Sequence, residues 1–309
     1  MEVELKAVIT GGRGFIGRAL VRQLAKDGHD VVLLTRRPAR TEKDTSVRVT
    51  YEQWDGQSVG PWKKHIDGAD AVFNLAGEPI GAKRWSAAQK RRILDSRIGA
   101  TKSVVGAIRS ASRKPPVLVN ASAVGYYGYV AEDEVTEDYK CGSGFLSNAV
   151  MQWEHEAAKA ADHAVRVVLV RFGVVLAREG GALERMLVPF NLFAGGSLGS
   201  GKQWFPWVHL DDAVRAALHG VSHPSLSGPV NVAAPHSVRM REFCQALGKA
   251  LHRPSWLPVP GFVLKTALGE MSDMILTGQR VVPRRLEQTG FRFSFPRLEQ
   301  ALSNIFGSP

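Results

Sequence analysis

Apolar positions along the chain follow two alternating rhythms. Short, predominantly apolar runs at 7–9, 31–34, 71–75, 117–119 and 165–170 read as strands buried on both faces, and 47–51 reads as another. Between them, apolar residues recur three and four apart. Leu20, Leu24 and Ala25 share one face of a helix expected over 15–27, which Gly28 should close. Longer helices are expected over 86–109 and 148–161. Strand and helix in alternation predict a parallel sheet covered on both sides, a doubly wound α/β fold.

Past residue 175 the rhythm changes. Glycines at 180–181 and 195–201 mark loops, 211–221 reads as a helix, and 228–232 as a late strand rejoining the sheet. Two further helices are expected over 240–251 and 260–276. The chain thus divides into a nucleotide-binding domain over 1–178, rejoined by 205–234, and a smaller substrate lobe made of 179–204 and 235–309. No internal repeat interrupts this division.

Composition changes the picture little. With 44% hydrophobic and 22% charged residues among 309, the chain is neither disordered nor fibrous. Cys141 and Cys244 are too few for a disulfide framework, which points to a reducing compartment. The six residues before the first strand leave no room for a secretory leader. The most apolar run, 165–177, is broken by Arg166 and Arg171 and is shorter than the roughly 20 residues that span a bilayer. A cytoplasmic protein off the membrane is expected. The net charge of +11 comes from scattered basic residues without interleaved aromatics, so nucleic acid is not the expected partner. A basic surface suits a phosphorylated ligand instead.

Candidate chemistry begins at Gly11, Gly12, Arg13, Gly14, Phe15, Ile16 and Gly17, between the first strand and the first helix. In that context a Gly-x-x-Gly-x-x-Gly turn is a dinucleotide signature. Gly11 allows the tight turn, Gly14 lets a pyrophosphate approach the backbone, and Gly17 permits close packing of helix on strand. The helix N-terminus then offers free N–H groups to the phosphates. The second strand ends in Leu34-Thr35-Arg36-Arg37, with no acidic residue to bind a ribose 2′-hydroxyl. Arginine forks suit a 2′-phosphate, so the expected cofactor is NADP(H), held by Thr35, Arg36 and Arg37 with help from Arg13. Asp55, after the third strand, is a candidate for the adenine amino group, and a surface turn explains it nearly as well.

These residues resemble the extended short-chain dehydrogenase/reductase superfamily. The resemblance extends to Asn74-Leu75-Ala76-Gly77 after the fourth strand, Ser122 after the fifth, and the segment from Phe205 to Asp212. More narrowly, the chain is similar to the epimerase-family branch that carries a C-terminal domain of unknown function. That match rests on NLAGE at 74–78, SAVGYYG at 122–128, GSGKQWFPWVH at 199–209 and GQRVVPRR at 278–285. The resemblance implies a Rossmann-type domain with Leu75, Ala76, Gly77 and Glu78 near the cofactor. It also implies a dimer through two long helices. Some members of the branch are named after a cell-division inhibitor.

The superfamily exchanges a proton through Tyr-x-x-x-Lys beside a serine, the lysine lowering the tyrosine pKa. No Tyr-x-x-x-Lys exists in this chain, and counting back from Glu154 puts Leu146 and Val150 at those places. The remaining candidates are Ser122 with Tyr126 and Tyr127 in a Gly-flanked loop, and Glu78 nearby. Asn148 and Gln152 are candidates for orienting a substrate.

Other features read as structure. His209 with Asp211 and Asp212 lacks metal-ligand spacing, and an aspartate N-cap explains it better, so no metal is expected. Trp204, Phe205 and Trp207 suit either a cleft wall or a packing core. Arg280, Arg284 and Arg285 suit a solvated surface better than an anion site. Two readings follow. One is an NADP-dependent oxidoreductase or epimerase acting on a small carbonyl or alcohol compound. The other is a non-catalytic NADPH-binding regulator, for example one linked to cell division.

Overall fold

The computed structural model describes residues 4–37 and 48–307; Val47, the first residue of the expected third strand, lies outside them. In chain order the strands are β1 (Lys6–Thr10), β2 (Asp30–Thr35), β3 (Val49–Gln53), β4 (Ala71–Asn74), β5 (Val117–Ala123) and β6 (Glu134–Val135). They continue with β7 (Arg166–Phe172), β8 (Val174–Leu176), β9 (Trp204–Phe205), β10 (Trp207–His209), β11 (Gly228–Val232), β12 (Val238–Arg239) and β13 (Arg280–Val281). The helices used below are α1 (Phe15–Lys26), α2 (Ala87–Ser110), α3 (Phe145–Ala158), α4 (Gly181–Asn191), α5 (Leu210–Ser222) and α6 (Met240–Ala250). To these the C-terminal region adds α7 (Gly261–Leu268), α8 (Asp273–Leu276), α9 (Arg284–Gln288) and α10 (Leu298–Phe306).

Seven strands form one parallel sheet in the order β3-β2-β1-β4-β5-β7-β11. Alternate residues feed different layers, as a sheet covered on both faces requires: Ala7 and Ile9 join the core shared with Leu20 and Leu24 of α1, while Val8 joins the core shared with Val104 and Ile108 of α2. Chain order reverses between β1 and β4, so a crevice opens at their C-terminal ends. Open α/β sheets bind ligands in such a crevice.

The C-terminal lobe has its own core, in which Leu183 and Phe190 of α4 meet Phe243 and Leu247 of α6 and Leu302 of α10. Phe205 and Trp207 belong to this core, with the Phe205 and Phe243 ring centroids 4.3 Å apart. They are packing residues. Of the segment expected to return to the main sheet, α5 and β11 do so, whereas β10 pairs with β8 and β9 with β12 outside it.

Three local expectations are corrected. The helix expected over 260–276 is broken, because Gly269 adopts φ +61° and leads into a 3-10 turn over 269–272 before α8 begins. The N-cap of α5 is His209, whose Nδ1 accepts from the Asp211 N–H at 3.1 Å, not an aspartate. Asp212 is instead fully buried, its carboxylate accepting the backbone N–H groups of Ser294 and Phe295 at 2.8 Å each. It pins the C-terminal chain to the nucleotide domain.

Candidate functional site

The glycine-rich turn shows which glycines the protein itself requires. Gly11 sits at φ +68°, and a side-chain carbon there would lie 2.5 Å from the Leu75 carbonyl. At Gly17 the same carbon would lie 2.2 Å from the Gly11 carbonyl oxygen, so its close contact is with the turn rather than with the strand. At Gly12 it would meet the Leu33 side chain at 2.7 Å. Gly14 differs: an added carbon meets only the Gly11 oxygen, at 3.1 Å. Gly14 is also the N-cap of α1, whose first turn has neither a side-chain cap nor an acidic residue. Phe15 and Ile16, half-buried, open that helix. The result is an unobstructed helix N-terminus, the arrangement a diphosphate needs.

The segment after β4 lies against this turn. The Leu75 N–H donates to the Thr10 carbonyl at 3.2 Å, and Thr10 Oγ1 donates to Asn74 Oδ1 at 2.7 Å in a fully buried bond. Beyond Ala76, the Glu78 N–H donates to Ser96 Oγ at 2.9 Å, and Arg97 Nη1 donates to the carbonyls of Glu78 and Ile93 at 3.0 Å each. Arg97 stands so close to Gly77 that an added carbon there would lie 3.1 Å from its Cζ. Burial lowers its pKa to about 10 despite the attraction of Glu78. Its Nε and Nη2 have no partner among the described residues, so this guanidinium could hold an anion beside the turn. The sequence reading missed Arg97, because it lies within a helix already crowded with basic residues.

At the β2 end, Thr35 is buried and Arg36 and Arg37 are exposed. Arg13 Nη1 donates to the Arg37 carbonyl at 2.8 Å, which brings Arg13 from the turn to the arginine pair. Asp55 Oδ1 accepts the N–H groups of Gln57 and Ser58 at 2.8 Å each, which lowers the pKa of its carboxyl. It shapes a surface turn.

At the other end of the crevice, sheet register sets Ser122, Arg171 and Asn231 side by side on β5, β7 and β11. Ser122 Oγ donates to Glu154 Oε1 at 2.5 Å. Arg171 holds Glu154 through two parallel bonds, Nε to Oε1 and Nη2 to Oε2, both 2.7 Å. Its Nη1 donates to the Tyr127 hydroxyl at 2.9 Å, and that hydroxyl donates to Asn231 Oδ1 at 2.6 Å. Beyond it, the Asn231 N–H donates to Glu137 Oε1 at 3.0 Å. All six side chains are buried. Burial drives the Tyr127 phenol up to about 12, and the Glu137 carboxyl is also raised, again chiefly by burial.

The two candidate tyrosines therefore differ. Tyr127 is a core residue whose hydroxyl is committed at both lone pair and proton. Tyr126 is half-buried, the Arg171 guanidinium lies 3.7 Å from its ring centroid, and its hydroxyl has no partner among the described residues. Cys141, only partly buried, is raised in pKa by burial and by the nearby Glu154. Asn148 and Gln152 point to solvent from α3. Arg280 and Arg285 pair with Glu134 and Asp138 at 3.1 and 2.8 Å, in keeping with a surface role. Among the described residues no three His, Cys, Asp or Glu side chains gather as metal ligands.

Comparison with known proteins bears on this crevice. The NAD dependent epimerase/dehydratase family matches residues 7–233, and a domain of unknown function (DUF1731) matches 259–305. The chain is 43% identical over 311 residues to the chloroplastic epimerase family protein SDR39U1 homolog of Arabidopsis thaliana, covering 98% of this chain and 87% of that one. It is 41% identical over 302 residues to the epimerase family protein YfhF of Bacillus subtilis, covering 97% and 98%. The crystal structure of the human epimerase family protein SDR39U1 (isoform 2) with NADPH superposes with a TM-score of 0.89 at 37% identity, covering 99% of this chain and all of that one. With its parallel sheet, glycine-rich turn and C-terminal lobe, the chain belongs to the NAD dependent epimerase/dehydratase family.

Proposed function

We propose that the chain is an NADP(H)-dependent oxidoreductase or epimerase acting on a small carbonyl or alcohol compound. The observation that carries this reading is the placement, on one edge of one sheet, of an open diphosphate cradle at Gly14 and a buried hydroxyl–carboxylate pair at Ser122 and Glu154. Arg13, Arg36 and Arg37 favour the 2′-phosphorylated cofactor, and the human relative was solved with NADPH. When bound, the nicotinamide supplies the hydride.

The protein's own residues supply the rest. Ser122, its hydrogen held by Glu154, accepts a hydrogen bond from the alcohol form of the substrate; in the carbonyl form the reacting oxygen is instead held by the phenol that protonates it. Arg171 positions Glu154, and Tyr126 serves as the proton donor. Tyr127 keeps Arg171 in place and does not exchange protons with substrate. Among the described residues no helix is long and apolar enough to cross a membrane, and a cytoplasmic location is part of the proposal.

The test is single-turnover hydride transfer from NADPH to a panel of aldehydes and ketones. Loss of a positioned proton donor removes roughly 10²- to 10⁴-fold of rate, the effect expected of Tyr126→Phe. Undiminished transfer in that variant would contradict the assignment. A second reading, an NADPH-binding regulator without chemistry, draws on the commitment of Tyr127 and the apolar Leu146 and Val150 where an acid–base pair would stand. Tight NADPH binding without any transfer would favour it.

A further inference from the structure

Two arginines of the crevice present the same chemistry in different states. Arg171 uses Nε and Nη2, the donors along one edge of its guanidinium plane, to grip both oxygens of Glu154 at 2.7 Å each. In Arg97 that edge is empty. Only Nη1 is engaged, donating to the Glu78 and Ile93 carbonyls at 3.0 Å each, and Nε and Nη2 have no partner among the described residues. Neither nitrogen is sealed from solvent, as the unpartnered Arg253 Nε is.

Arg97 is also held still. Its Cζ lies 5.1 Å from the centroid of the Trp153 ring on α3. Trp153 Nε1 donates to Thr101 Oγ1 at 3.0 Å, and Asn74 Nδ2 reaches the same oxygen at 2.8 Å. Thr101 lies one turn beyond Arg97 on α2, and Asn74 ends β4. The guanidinium is thus fixed by two carbonyls and a tethered ring before any ligand arrives, which lowers the entropy cost of binding one.

The chain leaves this edge uncovered. Gly77 is exposed and does not adopt a left-handed φ, so its backbone does not demand glycine. The space does: an added carbon would lie 3.1 Å from Arg97 Cζ and 3.3 Å from its Nη1. Glu78 attracts the guanidinium but meets it through its carbonyl rather than its carboxylate. Just before Gly77, the Leu75 and Ala76 backbone packs against Gly11, so Arg97 stands at the strand end that borders the glycine-rich turn.

We propose that the Nε–Nη2 edge of Arg97, left open by Gly77, is a binding site for one oxyanion, a carboxylate or a phosphate. Paired oxygens match the fork in spacing and charge, as those of Glu154 do on Arg171. The inference rests on the redox reading given above, which brings two such groups to the crevice: the diphosphate of the cofactor and an acidic group on the substrate. The first makes Arg97 a cofactor ligand. The second sets the substrate class, an acidic carbonyl or alcohol compound.

The experiment compares wild type with three variants. Arg97→Gln removes the fork, and Arg97→Lys keeps the charge without the paired geometry. Gly77→Ala covers the guanidinium while leaving its bonds to the protein in place. Fluorescence titration with NADPH reads the first source. Calorimetry of NADPH-loaded protein with 2-oxobutyrate and with its neutral amide reads the second. Loss of the fork is expected to weaken the ligand it holds roughly 10- to 100-fold, with Gly77→Ala changing affinity in the same direction. Weaker NADPH binding assigns the edge to the diphosphate. A preference for acid over amide that disappears in the variants, at unchanged NADPH affinity, assigns it to the substrate. Unchanged NADPH affinity together with no acid preference, or with one that survives all three variants, overturns the site and leaves Arg97 as a clamp on the 77–78 backbone. Inorganic pyrophosphate separates this inference from the reading beneath it. Arg97-dependent pyrophosphate binding by a protein that binds no NADPH keeps the site and removes the cofactor. Tight NADPH binding indifferent to Arg97, without acid preference, does the reverse.

Discussion

At the glycine-rich turn, residues 10–17 supply the bend, the close packing and the open helix end, with the Leu75 and Ala76 backbone packed against Gly11. At the opposite end of the crevice, six side chains spread from Ser122 to Asn231 converge only because parallel register places β5, β7 and β11 side by side. The first end is shaped by the absence of side chains and the second by their mutual satisfaction. A site of the first kind tolerates almost nothing added, while one of the second kind tolerates almost nothing removed.

The largest effect that would sharpen this contrast is expected at Arg171. Removing one partner of a buried, doubly bonded ion pair leaves a charge unpaired and typically costs about 3–5 kcal/mol. Arg171→Leu should lower the urea midpoint accordingly, and a change within error would show that the network is not a structural unit.

Next come the glycines. Gly17→Ala forces a carbon to 2.2 Å from a backbone oxygen and should destabilise the turn as well as abolish cofactor binding. Gly14→Ala, at φ −73° with a single contact at 3.1 Å, should cost no more than about 1 kcal/mol of stability while losing affinity for NADPH. Equal behaviour of the two variants would erase the distinction between packing glycine and ligand glycine.

The tyrosines give a smaller effect of the same kind. Tyr127→Phe strips a hydroxyl from between Arg171 and Asn231 and should cost about 1–3 kcal/mol in chemical unfolding. Tyr126→Phe should leave stability unchanged and show its effect only in hydride transfer.

The smallest effect lies outside both ends and sets a baseline. Burial, with Arg215 and the stacked His223 nearby, lowers the pKa of His219 from 6.5 to about 4. In the unfolded chain His219 binds a proton at higher pH than in the folded one. Its contribution to stability is therefore present above about pH 6.5 and is lost as pH falls toward 4. His219→Gln should flatten that slope in pH-dependent melting without touching NADPH affinity.

How much of this was legible in the sequence follows from the same contrast. The turn at 10–17, the strand runs and the Arg36–Arg37 pair are local signals; β1, β2, β4, β5 and β7 form at their apolar runs, and β3 covers 49–53 where 47–51 was expected. Arg97 reaches Gly77 only through the packing of α2, and nothing near it in the chain marks it. The ring of bonds through Glu154, Arg171, Tyr127 and Asn231 depends on strand register, which a single sequence does not display. Tyr126 and Tyr127, adjacent and chemically identical, could be told apart only by burial. Gly269 was hidden for another reason: the apolar spacing from 260 to 276 continues across it, although its backbone does not.

The central claim is that the crevice is an NADP(H) site, and fluorescence titration of the purified protein with NADPH and with NADH tests it most directly. The account predicts tight binding selective for NADPH, with the selectivity lost in an Arg36→Ala/Arg37→Ala variant that melts at the wild-type temperature. Equal affinity for both cofactors, or no binding of either, would contradict it.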